Sequence, residues 1–147
     1  MRPRLLLWLT LAVVLASAFA TSNRAAPLAS APTVTVKSSD YGRILFDGRN
    51  RALYAFTHDP SGKATCYGAC AKAWPPYIVR GALRAGMGTS RSKLAKTRRR
   101  DGTRQLTYAG KPLYYYVHDG QGQVLCQNAR EFGGLWLVVR PSGRLVR

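Results

Sequence analysis

From Val34 onward, short apolar stretches alternate with polar residues at a period near two. That is the spacing of strands rather than of amphipathic helices. Val34-Thr35-Val36 alternates, Ser39-Asp40-Tyr41-Gly42 reads as a turn, and Ile44-Leu45-Phe46 follows. Asp47-Gly48 makes the next turn, ahead of a strand over Ala52 to Thr57. The same order returns as Arg104 to Tyr108, a tight Ala109-Gly110 turn, and Leu113 to Val117. Leu135-Trp136-Leu137-Val138-Val139 is apolar throughout and reads as a buried strand. Gly68 to Trp74 suits one short helical turn, stopped by Pro75-Pro76. The fold class expected is mainly β: antiparallel hairpins with little helix.

The two strand series are copies of one unit. LYAFTHDPSGKATCYGA (53–69) and LYYYVHDGQGQVLCQNA (113–129) lie at a constant offset and share Leu, Tyr, His, Asp, Gly, Cys and Ala. Seven matches in such a span far exceed the roughly one that ordinary composition supplies. Upstream, Arg43 to Phe46 faces Arg104 to Thr107, and Trp74 and Trp136 fall at the matching place downstream. Repeat 1 is expected over about 40–80 and repeat 2 over about 103–141, packed as one small domain spanning 34–147. Residues 81–102 form a basic connector, with a strand expected over Lys93 to Arg99.

The N-terminal residues carry a different pattern. Arg2 and Arg4 precede an apolar run from Leu5 to Leu15, and Ala18-Phe19-Ala20 offers a small-x-small cleavage site. Residues 1–20 are read as a signal peptide, since the run is short for a membrane span of ~20 residues. No cysteine follows it to serve as a lipid anchor. Residues 21–33, rich in Ala, Ser and Pro, are read as a disordered tail. The expected location is secreted or periplasmic, with no transmembrane helix once the leader is removed.

Charge narrows the partners. The formal net charge is +17, and the leader holds only two of the arginines. Eight cations between Arg84 and Arg104 face one acid, Asp101. Such a balance favours anionic partners; for an exported chain these are envelope components. Arg98, Arg99 and Arg100 are the polyanion-binding candidates. No aromatic residues interleave with them, so a nucleic-acid platform is not expected. The six acids are scattered, and no Gly-rich phosphate loop, Ser–His–Asp set or HExxH element is present. Together these disfavour a two-carboxylate hydrolase.

Three cysteines, Cys66, Cys70 and Cys126, are an odd number in an oxidising compartment, so one disulfide and one free thiol are expected. The bridge could join Cys66 to Cys70 or either of them to Cys126. As thiolates, Cys66 and Cys70 could instead clamp a soft ion such as copper, with His58 as a third ligand. No cofactor is expected on the first reading; copper belongs to that alternative, a metal-handling or thiol-redox protein.

YAFTHD (54–59) and YYYVHD (114–119) fit Tyr-x-aromatic-x-x-Asp. With Cys66-Tyr67-Gly68-Ala69-Cys70, Trp74-Pro75-Pro76 and Gly134-Leu135-Trp136, the chain resembles the bacterial secreted-repeat family called predicted lipoproteins with the Yx(FWY)xxD motif. The resemblance covers about residues 40–141. It implies an exported, duplicated β domain, and the function expected is a non-enzymatic binding or structural module of the envelope.

The motif residues Tyr54, Phe56, Asp59, Tyr114, Tyr116 and Asp119, with Trp74 and Trp136, are the binding candidates. On a strand, Tyr54 and Phe56 share a face, as do Tyr114 and Tyr116. Such rings either stack on a flat ligand or form the core between the units. Asp59 and Asp119 each open a Gly-containing turn and are expected to accept a backbone N–H two residues on. His58 and His118 occupy equivalent places and are expected at solvent-facing strand ends, unless the two units bring them together over a metal.

Overall fold

Short antiparallel strands build both halves, and the third strand of the first half pairs with the last strand of the second. The computed structural model describes residues 33–147, so the expected leader and nearly all of the tail lie outside the described residues. β1 (Thr35–Ser39) pairs antiparallel with β2 (Gly42–Phe46) through the tight turn at Asp40-Tyr41, with Gly42 at φ 81°. β3 (Tyr54–Phe56) follows. A five-residue helix, α1 (Ala69–Ala73), ends at Trp74 just before the two prolines, which cannot supply helical N–H donors. A single 3-10 turn (Arg91–Lys93) leads into β4 (Leu94–Arg98), which pairs with β5 (Arg104–Tyr108) and so with β6 (Lys111–Pro112). β7 (Ala129–Glu131) and β8 (Gly134–Val138) form the last hairpin, and β8 pairs with β3 of the first half.

Strand alternation sorts the side chains onto two cores. Ile44, Phe46, Ala52, Tyr54 and Phe56 join Trp74, Tyr114, Trp136 and Val138 on one side. Leu45, Leu53 and Ala55 join Leu106, Tyr108, Leu113 and Val139 on the other. All three residues of β3 are buried, so this strand lies between the cores. The expected antiparallel β fold of two duplicated units is what the structure shows. Among the described residues no helix is long and apolar enough to cross a membrane.

One expectation changes. The strand expected over Leu113 to Val117 is not a ladder: Tyr114 makes only isolated bridges, to Tyr54 and to Pro76. Its partner segment in the first half contains Pro75 and Pro76, which have no N–H to give. The pairing is reduced to Tyr77 N–H to Leu113 O at 2.9 Å, Tyr115 N–H to Pro75 O at 2.8 Å and Val117 N–H to Ala73 O at 3.0 Å. The strand expected over Lys93 to Arg99 inside the basic connector is present as β4 (Leu94–Arg98). β4 is the counterpart of β1, paired to β5 as β1 is to β2.

Candidate functional site

The two halves meet about an approximate two-fold axis passing between Tyr54 and Tyr114. Their main chains exchange reciprocal hydrogen bonds, N–H to O at 2.9 Å in each direction. The side chains then cross. Tyr54 Oη donates to Asp119 Oδ2 at 2.6 Å, and Tyr114 Oη donates to Asp59 Oδ2 at 2.7 Å. The second carboxylate oxygen holds its own loop: Asp59 Oδ1 accepts from the Thr65 amide at 2.7 Å and the Thr65 hydroxyl at 2.6 Å. Asp119 Oδ1 accepts from the Leu125 amide at 2.9 Å. These aspartates therefore do not cap a turn two residues on, as expected from sequence. Each loop continues for six residues before its amide meets the carboxylate, which leaves the other oxygen free to reach across the axis.

Burial sets the protonation of this cluster. Loss of water contact, reinforced by the neighbouring carboxylate, holds the Tyr54 and Tyr114 hydroxyls well above the ordinary tyrosine range. Both stay donors at physiological pH. Burial also pushes the Asp59 carboxyl up, against the opposing pull of Thr65, Tyr114 and Arg99.

Behind the tyrosines lies a four-ring stack. Trp74 and Trp136 are parallel, with centroids 4.1 Å apart, and Phe56 stacks on Trp136 at 4.2 Å. Tyr116 lies against Trp74 at 4.8 Å. Tyr54 and Tyr114 meet the edges of Trp74 and Trp136 at 5.2 and 5.1 Å. The aromatic candidates thus form the core between units; Tyr54, Tyr114, Trp74 and Trp136 are completely buried and present no face to a ligand. The two indoles differ in one respect. Trp74 Nε1 donates to Glu131 Oε2 at 2.7 Å, whereas Trp136 Nε1 is buried without a partner among the described residues.

Of the pairings left open by the sequence, the structure has Cys66–Cys70, with a Cα separation of 5.3 Å. The bond ties the start of α1 to the chain before it, and in this state neither sulfur is a thiolate. Cys126 occupies the place of Cys66 in the second half and is a free, half-buried thiol. Burial pushes its pKa up, and Glu131 and Asp119 push in the same direction. His58 and His118 are both exposed and lie against the rings of Phe56 and Tyr116. Among the described residues no three His, Cys, Asp or Glu side chains cluster as a metal site would need.

The three arginines of the basic run separate. Arg98 and Arg100 are exposed, Arg100 with its guanidinium over the Tyr67 ring at 4.0 Å. Arg99 is only 3% exposed. It donates to Gln105 Oε1 at 2.6 Å and to Cys66 O at 2.8 Å, and lies over the Tyr67 ring at 4.2 Å. Its place among the polyanion candidates is therefore corrected: the guanidinium is engaged inside the fold, and Asp101 lies 3.9 Å from its Nε.

Elsewhere the surface opens into a groove of about 770 Å³ between residues 47–51 and 75–84. Arg49, Arg51, Arg80, Tyr77 and Tyr115 line it, above the buried Asp47. Asp47 Oδ1 accepts from the amides of Arg49 (2.9 Å) and Arg51 (2.8 Å), and Oδ2 accepts from the Tyr115 hydroxyl at 3.0 Å. Tyr77 Oη donates to Thr33 O at 2.9 Å, and the two rings lie 5.0 Å apart.

A family model described as a secreted repeat of unknown function matches the chain twice, over residues 35–77 and 96–140. The chain belongs to this family of secreted repeats. No curated protein matches it, and neither does any solved structure. The family places the protein in the extracellular or envelope space. The two matched repeats start at β1 and within β4, so the unit begins earlier in each half than its most similar stretch.

Sequence reasoning brought together the residues that the secreted-repeat fold also brings together at its axis. It did not find Glu131, Thr65 or the groove. A signal for the groove exists in the repeat alignment: Tyr115 faces Ala55.

Proposed function

We propose that the protein is a non-enzymatic envelope module, a rigid scaffold that binds an anionic component of its surroundings. One observation carries this reading. The tyrosine and aspartate side chains that could have done chemistry are engaged with each other across the axis. The arginines, by contrast, remain largely at the surface. The side chains of Arg49, Arg80 and Arg98 make no hydrogen bond or ion pair to the rest of the described chain and are exposed. With six acids against 23 cations in the whole chain, the surface field is strongly positive.

The test uses the purified exported protein and an isolated envelope fraction rich in anionic polymer. At low salt the protein is expected to sediment with the envelope, and to return to the supernatant as ionic strength rises past a few tenths molar, where the screening length falls to a few ångströms. Protein that stays in the supernatant at low salt contradicts the reading. So does stoichiometric copper that is lost in Cys66→Ser, which would favour metal handling instead.

A further inference from the structure

The approximate two-fold axis supplies an internal control, because most positions in one half have a counterpart in the other. At the axis the counterparts agree: Tyr54 with Tyr114, Asp59 with Asp119, Trp74 with Trp136. Around the groove they do not. Tyr115 corresponds to Ala55, which is 2% exposed, and Tyr77 to Val139, which is completely buried. The hydrogen bonds establish the match: Leu45 N–H reaches Val139 O as Leu106 N–H reaches Tyr77 O, both at 2.9 Å. Arg49 lies in a loop whose counterpart, residues 108–111, holds no arginine. The loop from Asp47 to Arg51 is one residue longer than its counterpart, since Phe46 bridges Ala52 whereas Thr107 pairs with Pro112. The scaffold is thus complete with alanine and valine at these places. The tyrosines, the arginine and the longer loop are additions that the fold does not require.

These additions are also preorganised. The Tyr115 hydroxyl is fixed on Asp47, and the Tyr77 hydroxyl on Thr33 O. Arg51 lies over the Tyr115 ring at 4.3 Å and donates to Tyr116 O at 3.2 Å, so its charge is held in place. Both Asp47 oxygens are occupied from within. Arg49 and Arg80 are exposed at the rim, and Arg80 has no partner among the described residues. Ile78, 36% exposed, adds apolar surface between them. A concave strip of ring faces flanked by cations suits a ligand that alternates apolar ring faces with negative charge. Its volume lies in the usual range for ligand clefts, about 300–1,000 Å³. Its concavity disfavours a flat membrane surface.

We infer that this groove binds a segment of anionic polysaccharide. Sugar rings pack on Tyr77, Tyr115 and Ile78, and the carboxylate or sulfate-like groups meet Arg49, Arg51 and Arg80. The inference rests on the reading that the protein binds an anionic envelope component, and it names the site and the chemical class.

The experiment measures dissociation constants at about 0.15 M salt for polygalacturonate, dextran sulfate and uncharged dextran. The variants give each tyrosine the residue of its counterpart, Tyr77→Val with Tyr115→Ala, and remove the loop cation, Arg49→Ala. Arg80→Ala, which touches nothing inside the protein, keeps the test valid should the tyrosine variant fold poorly. Arg98→Ala is the charge-matched control. The tyrosine variant is expected to weaken binding to the charged polymers by about tenfold or more, on the scale of aromatic stacking contacts. Arg49→Ala and Arg80→Ala are each expected to weaken it about fivefold, and Arg98→Ala less than about twofold. Tighter binding of polygalacturonate identifies carboxylate as the anion read, and tighter binding of dextran sulfate identifies the sulfate or phosphate class. Equal losses in Arg80→Ala and Arg98→Ala, unchanged binding in a folded tyrosine variant, or a stronger tyrosine-dependent affinity for single-stranded nucleic acid would overturn the inference while leaving anion binding in place. Failure of the unaltered protein to bind either charged polymer would sink both readings.

Discussion

The first and second halves of this protein are alike at the axis and unlike at the rim. Tyr54 and Tyr114 lie in equivalent settings, each hydrogen-bonded to the other half's aspartate and each edge-on to its own half's tryptophan. Further out, one half carries a disulfide where the other has a lone thiol, and the groove's tyrosines, Tyr77 from the first half and Tyr115 from the second, have the buried counterparts Val139 and Ala55. What the halves share is what either needs to close on its partner. What they do not share is released from that demand and free to serve binding.

The largest effects should come from the shared set. Trp74→Ala and Trp136→Ala each remove one of the two inner rings of the central stack and should each cost about 3–5 kcal/mol in denaturant unfolding. A milder change breaks the symmetry. Trp74→Phe should cost about 1 kcal/mol more than Trp136→Phe, because only the Trp74 indole donates a hydrogen bond, to Glu131. Equal costs would mean that this bond contributes nothing.

The cysteines come next. Opening the Cys66–Cys70 loop by Cys66→Ser with Cys70→Ser should lower stability by about 2 kcal/mol, the entropy scale for so short a loop. Cys126→Ser, at the matching place without a bridge, should change it by less than about 1 kcal/mol. Denaturation with and without reductant checks the pair, and a reductant effect that persists in the double variant would contradict the assigned pairing.

The smallest effect is a pH dependence. The Asp59 carboxyl is raised above its ordinary value of 3.8 by burial, so the folded state holds that proton more tightly than the unfolded chain does. Its contribution is therefore fully present below the ordinary carboxylate pKa and is lost as pH rises through the raised value. The stability gap between the unaltered protein and Asp59→Asn should be widest near pH 3 and narrower at pH 6, read by thermal melts. A gap that widens with pH would reverse the assignment.

Much of the axis was legible in the sequence, because a duplication writes its structural needs twice. The repeated Leu-Tyr, His-Asp and Cys marked the unit, and the apolar run Ile44-Leu45-Phe46 after a turn marked a strand. Local pattern could not show that Tyr54 belongs to Asp119 rather than to Asp59. That choice depends on how the halves dock, and only the long-range geometry carries it. Turn chemistry misled for a related reason: Asp59 opens a Gly-containing turn, yet the nearer amides lose to Thr65 and to a hydroxyl from the other half. Arg99 looked like its exposed neighbours Arg98 and Arg100, since a burial set by Gln105 and the Cys66 carbonyl leaves no trace in a run of arginines. Pro75-Pro76 did predict the end of α1, but their missing amides also weakened the ladder beside Tyr114, a non-local consequence of a local residue.

The central claim is that the halves are locked by tyrosines held in the opposite copy. The most direct test is a pair of double-mutant cycles in the folded protein: Tyr54→Phe with Asp119→Asn across the axis, and Tyr54→Phe with Asp59→Asn within one half. Crossing predicts a coupling of about 1–2 kcal/mol for the first pair and close to zero for the second. Coupling confined to the second pair, or absent from the first, would contradict it.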